Sequence, residues 1–82
     1  MSIICELQLK MARAALGLSF DELAKKTGVS ARTIRRIERE NGLTHATVAN
    51  LKLIKQTLEE EGIEFIGTEE DGPGIRLWHN KS

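Results

Sequence analysis

Four arginines, Arg32, Arg35, Arg36 and Arg39, recur at i, i+3, i+4 and i+7. At about 100° per residue they share one stripe of a helix. Ile34 and Ile37 point the opposite way, toward a core. A helix braced by isoleucines and presenting four guanidinium groups is suited to an anionic surface. The major groove of B-DNA fits this description. It admits an α-helix, and guanine offers N7 and O6 as paired acceptors to arginine.

Other chemistries find little support. Serine, histidine and aspartate are present, but no spacing makes a nucleophile, a base and an orienting group. Gly72-Pro73-Gly74 is turn chemistry and not a phosphate-binding loop. Cys5 is the only cysteine, so no intrachain disulfide can form. It lacks the further ligands a metal site needs, and His45 and His79 lie far apart in sequence. No enzyme, cofactor or metal site is therefore expected. Cys5 reads as a small buried residue of the first helix. No apolar run is long enough to cross a bilayer and no signal peptide is visible, which predicts a cytosolic protein without membrane contact.

Eighty-two residues make one domain with a small core. A core of that size gains from a partner subunit. The net charge of zero hides an asymmetry. Residues 1–55 hold ten Lys and Arg against five Asp and Glu; residues 56–82 hold two against seven. The local field decides nucleic-acid binding, so the basic part carries the case and the acidic end should face away.

The elements that position the arginines follow from local signals. A first helix is predicted from about Ile3 to Leu16, with Ile4, Leu7, Leu9, Met11, Ala14 and Ala15 apolar, ended by Gly17. Ser19 with Glu22 is a capping box, so a second helix runs from about Phe20 to Thr27 and buries Leu23 and Ala24. Gly28-Val29-Ser30 forms a turn, and Ser30 caps a third helix reaching about Glu40. Asn41-Gly42 breaks it. Thr44 or His45 opens a fourth helix ending at Gly62, with Val48, Leu51, Ile54 or Lys55, and Leu58 on the buried side. The period then changes. Residues 63–66 and 75–78 read as two short strands, with Ile63 and Phe65 on one face and Ile75 and Leu77 on one face. A lone hairpin of this length is marginal, so it must pack on the helices or pair with a copy.

The pattern resembles the lambda-repressor-like, Cro/cI-type helix-turn-helix regulators, also called the Xre family. Arg13, Leu18-Ser19, Glu22-Leu23-Ala24, Gly28-Val29-Ser30, Thr33-Ile34 and Ile37-Glu38 carry the match, and residues 60–77 resemble the tail of many small regulators of this group. The resemblance implies a mainly α fold: a four-helix helix-turn-helix domain over residues 1–62, then a β-hairpin tail over residues 63–82 within the same domain. It implies a bacterial or phage-encoded, cytoplasmic, nucleoid-associated regulator of transcription. It also implies a structural ion pair between Arg13 and Glu38.

Carried over position by position, the resemblance gives base contacts to Ala31, Arg32 and Arg36, with Arg35 beside them. Arg39 and Asn41 would hold phosphates. Ser30 and Thr33 could reach the backbone, and Thr44 could offer backbone N–H groups to a phosphate. One position departs from the family: glutamine is common where this chain has Phe20. Phenylalanine cannot make that contact and is expected to pack on Leu16 or a neighbouring apolar surface. The proline often found after the third helix is also missing.

The expected function is a sequence-specific regulator, a repressor, binding double-stranded DNA as a homodimer on an inverted repeat. Ile63, Phe65, Ile75, Leu77 and Trp78 are the dimerisation candidates. Trp78 is equally readable as an interface anchor or as a lid over its own core. The run Glu59-Glu60-Glu61 sits poorly with the dipole of a helix C-terminus and calls for a cation. The alternative function is a protein-interaction module with the same fold, such as an antitoxin or anti-activator, whose hairpin docks a protein partner.

Overall fold

A computed structural model describes residues 5–39, 41–68 and 70–78, and the backbone but not the side chain of His45. Expectations for Ile3, Ile4, Glu40 and His79 lie outside the described residues. Among the described residues four α-helices run in order: α1 (Glu6–Leu16), α2 (Phe20–Thr27), α3 (Ala31–Ile37) and α4 (Val48–Glu60). A 3₁₀ turn spans Gly42–His45 between α3 and α4. Strands β1 (Ile63–Ile66) and β2 (Gly74–Leu77) follow. The fold is mainly α with a terminal hairpin, as the sequence implies.

Local chemistry sets most boundaries. The α1 terminus is a Schellman motif: Gly17 is left-handed, its N–H donates to the Ala14 carbonyl, and Leu18 N–H donates to that of Arg13. The α2 capping box is complete. Glu22 N–H donates to Ser19 Oγ at 3.1 Å, and Ser19 N–H donates to Glu22 Oε1 at 2.9 Å. That backbone hydrogen bond from Ser19, helped by its side chain, lowers the Glu22 pKa. The carboxylate form is the one that caps. Its contribution is therefore present at neutral pH and lost as pH falls through the depressed value.

Several boundaries and burials differ from the sequence reading. Cys5 is not inside the first helix. It is the extended residue preceding α1 and is half-buried. Helix α3 stops at Ile37 and not near Glu40, because the chain reverses hard against its end. Asn41 takes a left-handed φ of 60°, and a Cβ on Gly42 would collide with the Ile37 carbonyl oxygen. Helix α4 starts at Val48, capped by Thr47 Oγ1, which accepts from Asn50 N–H at 3.0 Å. Thr44 sits in the 3₁₀ turn instead, with its own N–H bonded to the Asn41 carbonyl. Val48 is 83% exposed. Steps of three drift about 60° each around a helix, so Leu51 stays half-buried while Val48 rotates away from Ile54.

One core holds these elements together. Leu9 and Ala12 of α1, Leu23 of α2, Val29 of the turn, Ile34 and Ile37 of α3, Ile54 and Leu58 of α4, and Ile63 and Phe65 of β1 are all buried. The hairpin pairs with itself, antiparallel, with Ile63 opposite Leu77 and Phe65 opposite Ile75. Ile63 and Phe65, expected at a dimer contact, are instead covered within the protomer by its own core. A feature absent from the sequence reading fastens the hairpin to α1. Gln8, fully buried, donates from Nε2 to the carbonyls of Gly74 at 3.0 Å and Ile66 at 3.2 Å. Its one sequence signal is an amide beside Leu9 on an apolar helix. Gln8→Leu should cost about 1–3 kcal/mol by stranding these carbonyls. Hydrogen exchange should show faster exchange in the hairpin than in α2.

The Glu59–Glu61 run has its cations. Lys26 Nζ lies 3.5 Å from Glu61, and Lys55 Nζ lies 3.8 Å from Glu59. Both pairs are exposed enough to contribute little. No helix among the described residues is long and apolar enough to cross a membrane.

Candidate nucleic-acid interface

The turn between α2 and α3 is built by short side chains. Gly28 is left-handed at φ 80° and its N–H donates to the Ala24 carbonyl. Thr27, buried, donates from Oγ1 to the Leu23 carbonyl at 2.9 Å and accepts from Val29 N–H at 3.0 Å. One hydroxyl thus closes α2 and fixes Val29 in the middle of the turn. Ser30 then caps α3, accepting from Thr33 N–H at 3.2 Å and donating to Thr33 Oγ1 at 2.8 Å. The Ser30 and Thr33 hydroxyls thus bond to each other within the cap.

Ile34 and Ile37 are 0% and 1% exposed, so the rear of α3 is locked into the core. The other face is open. Arg32, Arg35, Arg36 and Arg39 are all exposed and together line one shallow concavity of about 360 Å³. Arg39 lies beyond the helix end, yet it still borders this space. Among the described residues, Arg32, Arg36 and Arg39 have no carboxylate within ion-pair distance. An unanswered cluster of guanidinium groups repels itself, so it gains most from an anion. Ala31 is half-buried at the start of the helix, and Asn41 is exposed beyond its end. Thr44 Oγ1 donates to the Asn41 carbonyl at 2.7 Å, so that hydroxyl serves the loop.

Behind the face lies an ion pair. Arg13 Nε donates to Glu38 Oε2 at 2.7 Å and Nη2 donates to Oε1 at 3.0 Å. Arg13 Nη1 also donates to the Leu18 carbonyl at 3.0 Å. Glu38 is 4% exposed. The hydrogen bond to Glu38 raises the Arg13 pKa, with burial opposing it. The pair ties α1 to the end of α3.

Phe20 does more than the apolar packing expected of it. It does pack against the core. Its ring also takes two guanidinium groups, Arg13 at 4.1 Å and Arg35 at 4.9 Å from the centroid. Arg35 is thus attached to α2, unlike its three neighbours. No sequence pattern signals this, because the contact joins residues fifteen apart across a turn.

Trp78 is 53% exposed, which overturns its reading as a lid over the core. Its Nε1 donates to Glu64 Oε1 at 2.9 Å, Arg76 shares that carboxylate at 3.2 Å, and Arg76 lies over the indole at 5.5 Å. Ile75 and Leu77 are half-buried.

Among the described residues no group of histidine, cysteine and carboxylate side chains could hold a metal ion. Comparison with known proteins gives one positive result. The sequence pattern of the helix-turn-helix family matches residues 9–65, well over half of the chain. No curated protein and no solved structure matches it. The matched span runs from Leu9 through the open face of α3 to Phe65, and the chain belongs to the lambda-repressor-like, Xre-type helix-turn-helix family of DNA-binding transcription regulators.

Proposed function

We propose that the protein is a sequence-specific repressor that binds an inverted-repeat operator as a homodimer. Each α3 enters the major groove, and the two grooves lie about one helical turn apart. Arg32 and Arg36 donate in pairs to guanine N7 and O6, and Ala31 meets a thymine methyl. Thr33, Arg35, Arg39 and Asn41 hold the phosphate backbone and set the register, with Ser30 and Thr44 bordering it. The observation that carries this reading is the set of exposed arginines without carboxylate partners among the described residues, on a helix braced by Ile34 and Ile37. Trp78, exposed on the side of the hairpin away from the core-packed Ile75 and Leu77, anchors the contact between subunits. A gel shift with genomic fragments tests it. The complex should be specific, should contain two chains, and should weaken steeply as salt rises, because each phosphate contact releases counterions. Equal affinity for random duplex at moderate salt would overturn it.

A second reading is favoured by the exposed Trp78 beside Glu64 and Arg76. In it the hairpin docks a protein partner, as an antitoxin or anti-activator would. A stoichiometric partner that co-purifies, and stays bound when the arginines of α3 are removed, would support it.

A further inference from the structure

Arg35 stands apart from the other arginines of its stripe because its guanidinium rests on the Phe20 ring of α2. We infer that Phe20 is a positioning residue: it holds Arg35 toward α2, so that Arg35 clamps the DNA phosphate backbone beside α2 while Arg32 and Arg36 are left to the bases. The inference rests on α3 being the DNA-binding helix.

Three observations carry it. First, attraction between the Arg35 guanidinium and the Phe20 ring, 4.9 Å from the guanidinium carbon to the centroid, is not a hydrogen bond, so it leaves N–H donors able to hold an anion. Arg35 is exposed and has no carboxylate partner among the described residues. Second, the ring is itself fixed. Phe20 packs on the core, and the other cation on it, Arg13, is neutralised by two hydrogen bonds to buried Glu38. Arg35 therefore meets an electron-rich ring without an unpaired like charge behind it. Third, α2 is the helix that crosses the DNA backbone in this motif, while α3 occupies the groove. A side chain of α3 drawn toward α2 is directed at phosphate and away from base edges. Ordering Arg35 before binding also removes part of the entropy cost that a free arginine would incur when it engages the phosphate.

The test measures binding to a random-sequence duplex of about three helical turns across a salt series. Phe20→Leu keeps apolar bulk and removes the ring. It should weaken binding about two- to fivefold, the size of an exposed cation–π interaction. The log–log salt slope should become shallower, by up to about 0.9 for each phosphate that a chain no longer neutralises. Phe20→Tyr keeps the ring and should retain both affinity and slope. In an Arg35→Ala background, Phe20→Leu should have no further effect on either, even though loss of the Arg13 stack lowers its melting temperature. The proposal is overturned if Phe20→Leu weakens binding equally with and without Arg35, or if Arg35→Ala leaves the slope unchanged while Arg32→Ala and Arg36→Ala reduce affinity. If none of the three arginine variants changes binding, the failure belongs to the DNA-binding role of α3 itself, and the proposal falls with it.

Discussion

Arg13→Ala should destabilise the fold by about 3–5 kcal/mol, because it leaves the Glu38 carboxylate buried without its partner. Both carboxylate oxygens are engaged by this one side chain, at 2.7 and 3.0 Å. The substitution also frees the Leu18 carbonyl and removes one guanidinium from the Phe20 ring. A domain of this size has a total stability of only about 5–15 kcal/mol, so much of it would disappear. Urea unfolding at neutral pH measures the change. Lys26→Ala is the control. Its pair with Glu61 is formed by two side chains that are each about 40% exposed, and its removal should cost less than about 1 kcal/mol. Equal costs for the two substitutions would show that burial does not set the strength of the Arg13–Glu38 pair.

The double substitution Arg32→Ala, Arg36→Ala should do the reverse: abolish specific binding and spare the fold. Each bidentate arginine–guanine contact accounts for about 1–3 kcal/mol of discrimination, so the pair should remove at least roughly thirtyfold of the preference for operator over random duplex. Neither side chain has a carboxylate partner among the described residues, so unfolding stability should stay within about 0.5 kcal/mol of the parent. The affinity ratio for the two duplexes at fixed salt reads the effect. An unchanged ratio would move base recognition elsewhere on the molecule.

What the sequence disclosed and what it withheld divide along physical lines. Features made by residues a few positions apart were legible. Ser19 and Glu22 form the α2 cap, Gly17 and Gly28 take the left-handed turns, and Ile34 and Ile37 are buried opposite the arginines. The change to period two after Gly62 marked β1 at its observed bounds and β2 one residue late, since β2 runs Gly74–Leu77 and leaves Trp78 outside. Features set by distant contacts were not. Asn41-Gly42 announced that α3 ends, but not that the chain folds back tightly enough onto the Ile37 carbonyl to stop the helix at Ile37. The fit of α4 to the core sets which of its residues are covered, so apolar spacing alone carried Val48 into a stripe it does not share. Ile63 and Phe65 have the alternation of a strand face, but alternation does not say whether the same chain or a second one covers that face. At the site, the arginine face was readable as a pattern. The attachment of Arg35 to Phe20 needed the angle between α2 and α3.

The central claim is that the open face of α3 receives DNA. Titration of a duplex into isotopically labelled protein, followed through backbone amide and arginine side-chain resonances, tests it most directly and requires no knowledge of the operator. The largest shifts are expected at residues 30–39 and the Arg32, Arg35, Arg36 and Arg39 side chains, with the hairpin amides of Ile63–Ile66 little changed. Shifts concentrated in the hairpin around Trp78, with α3 unmoved, would contradict it.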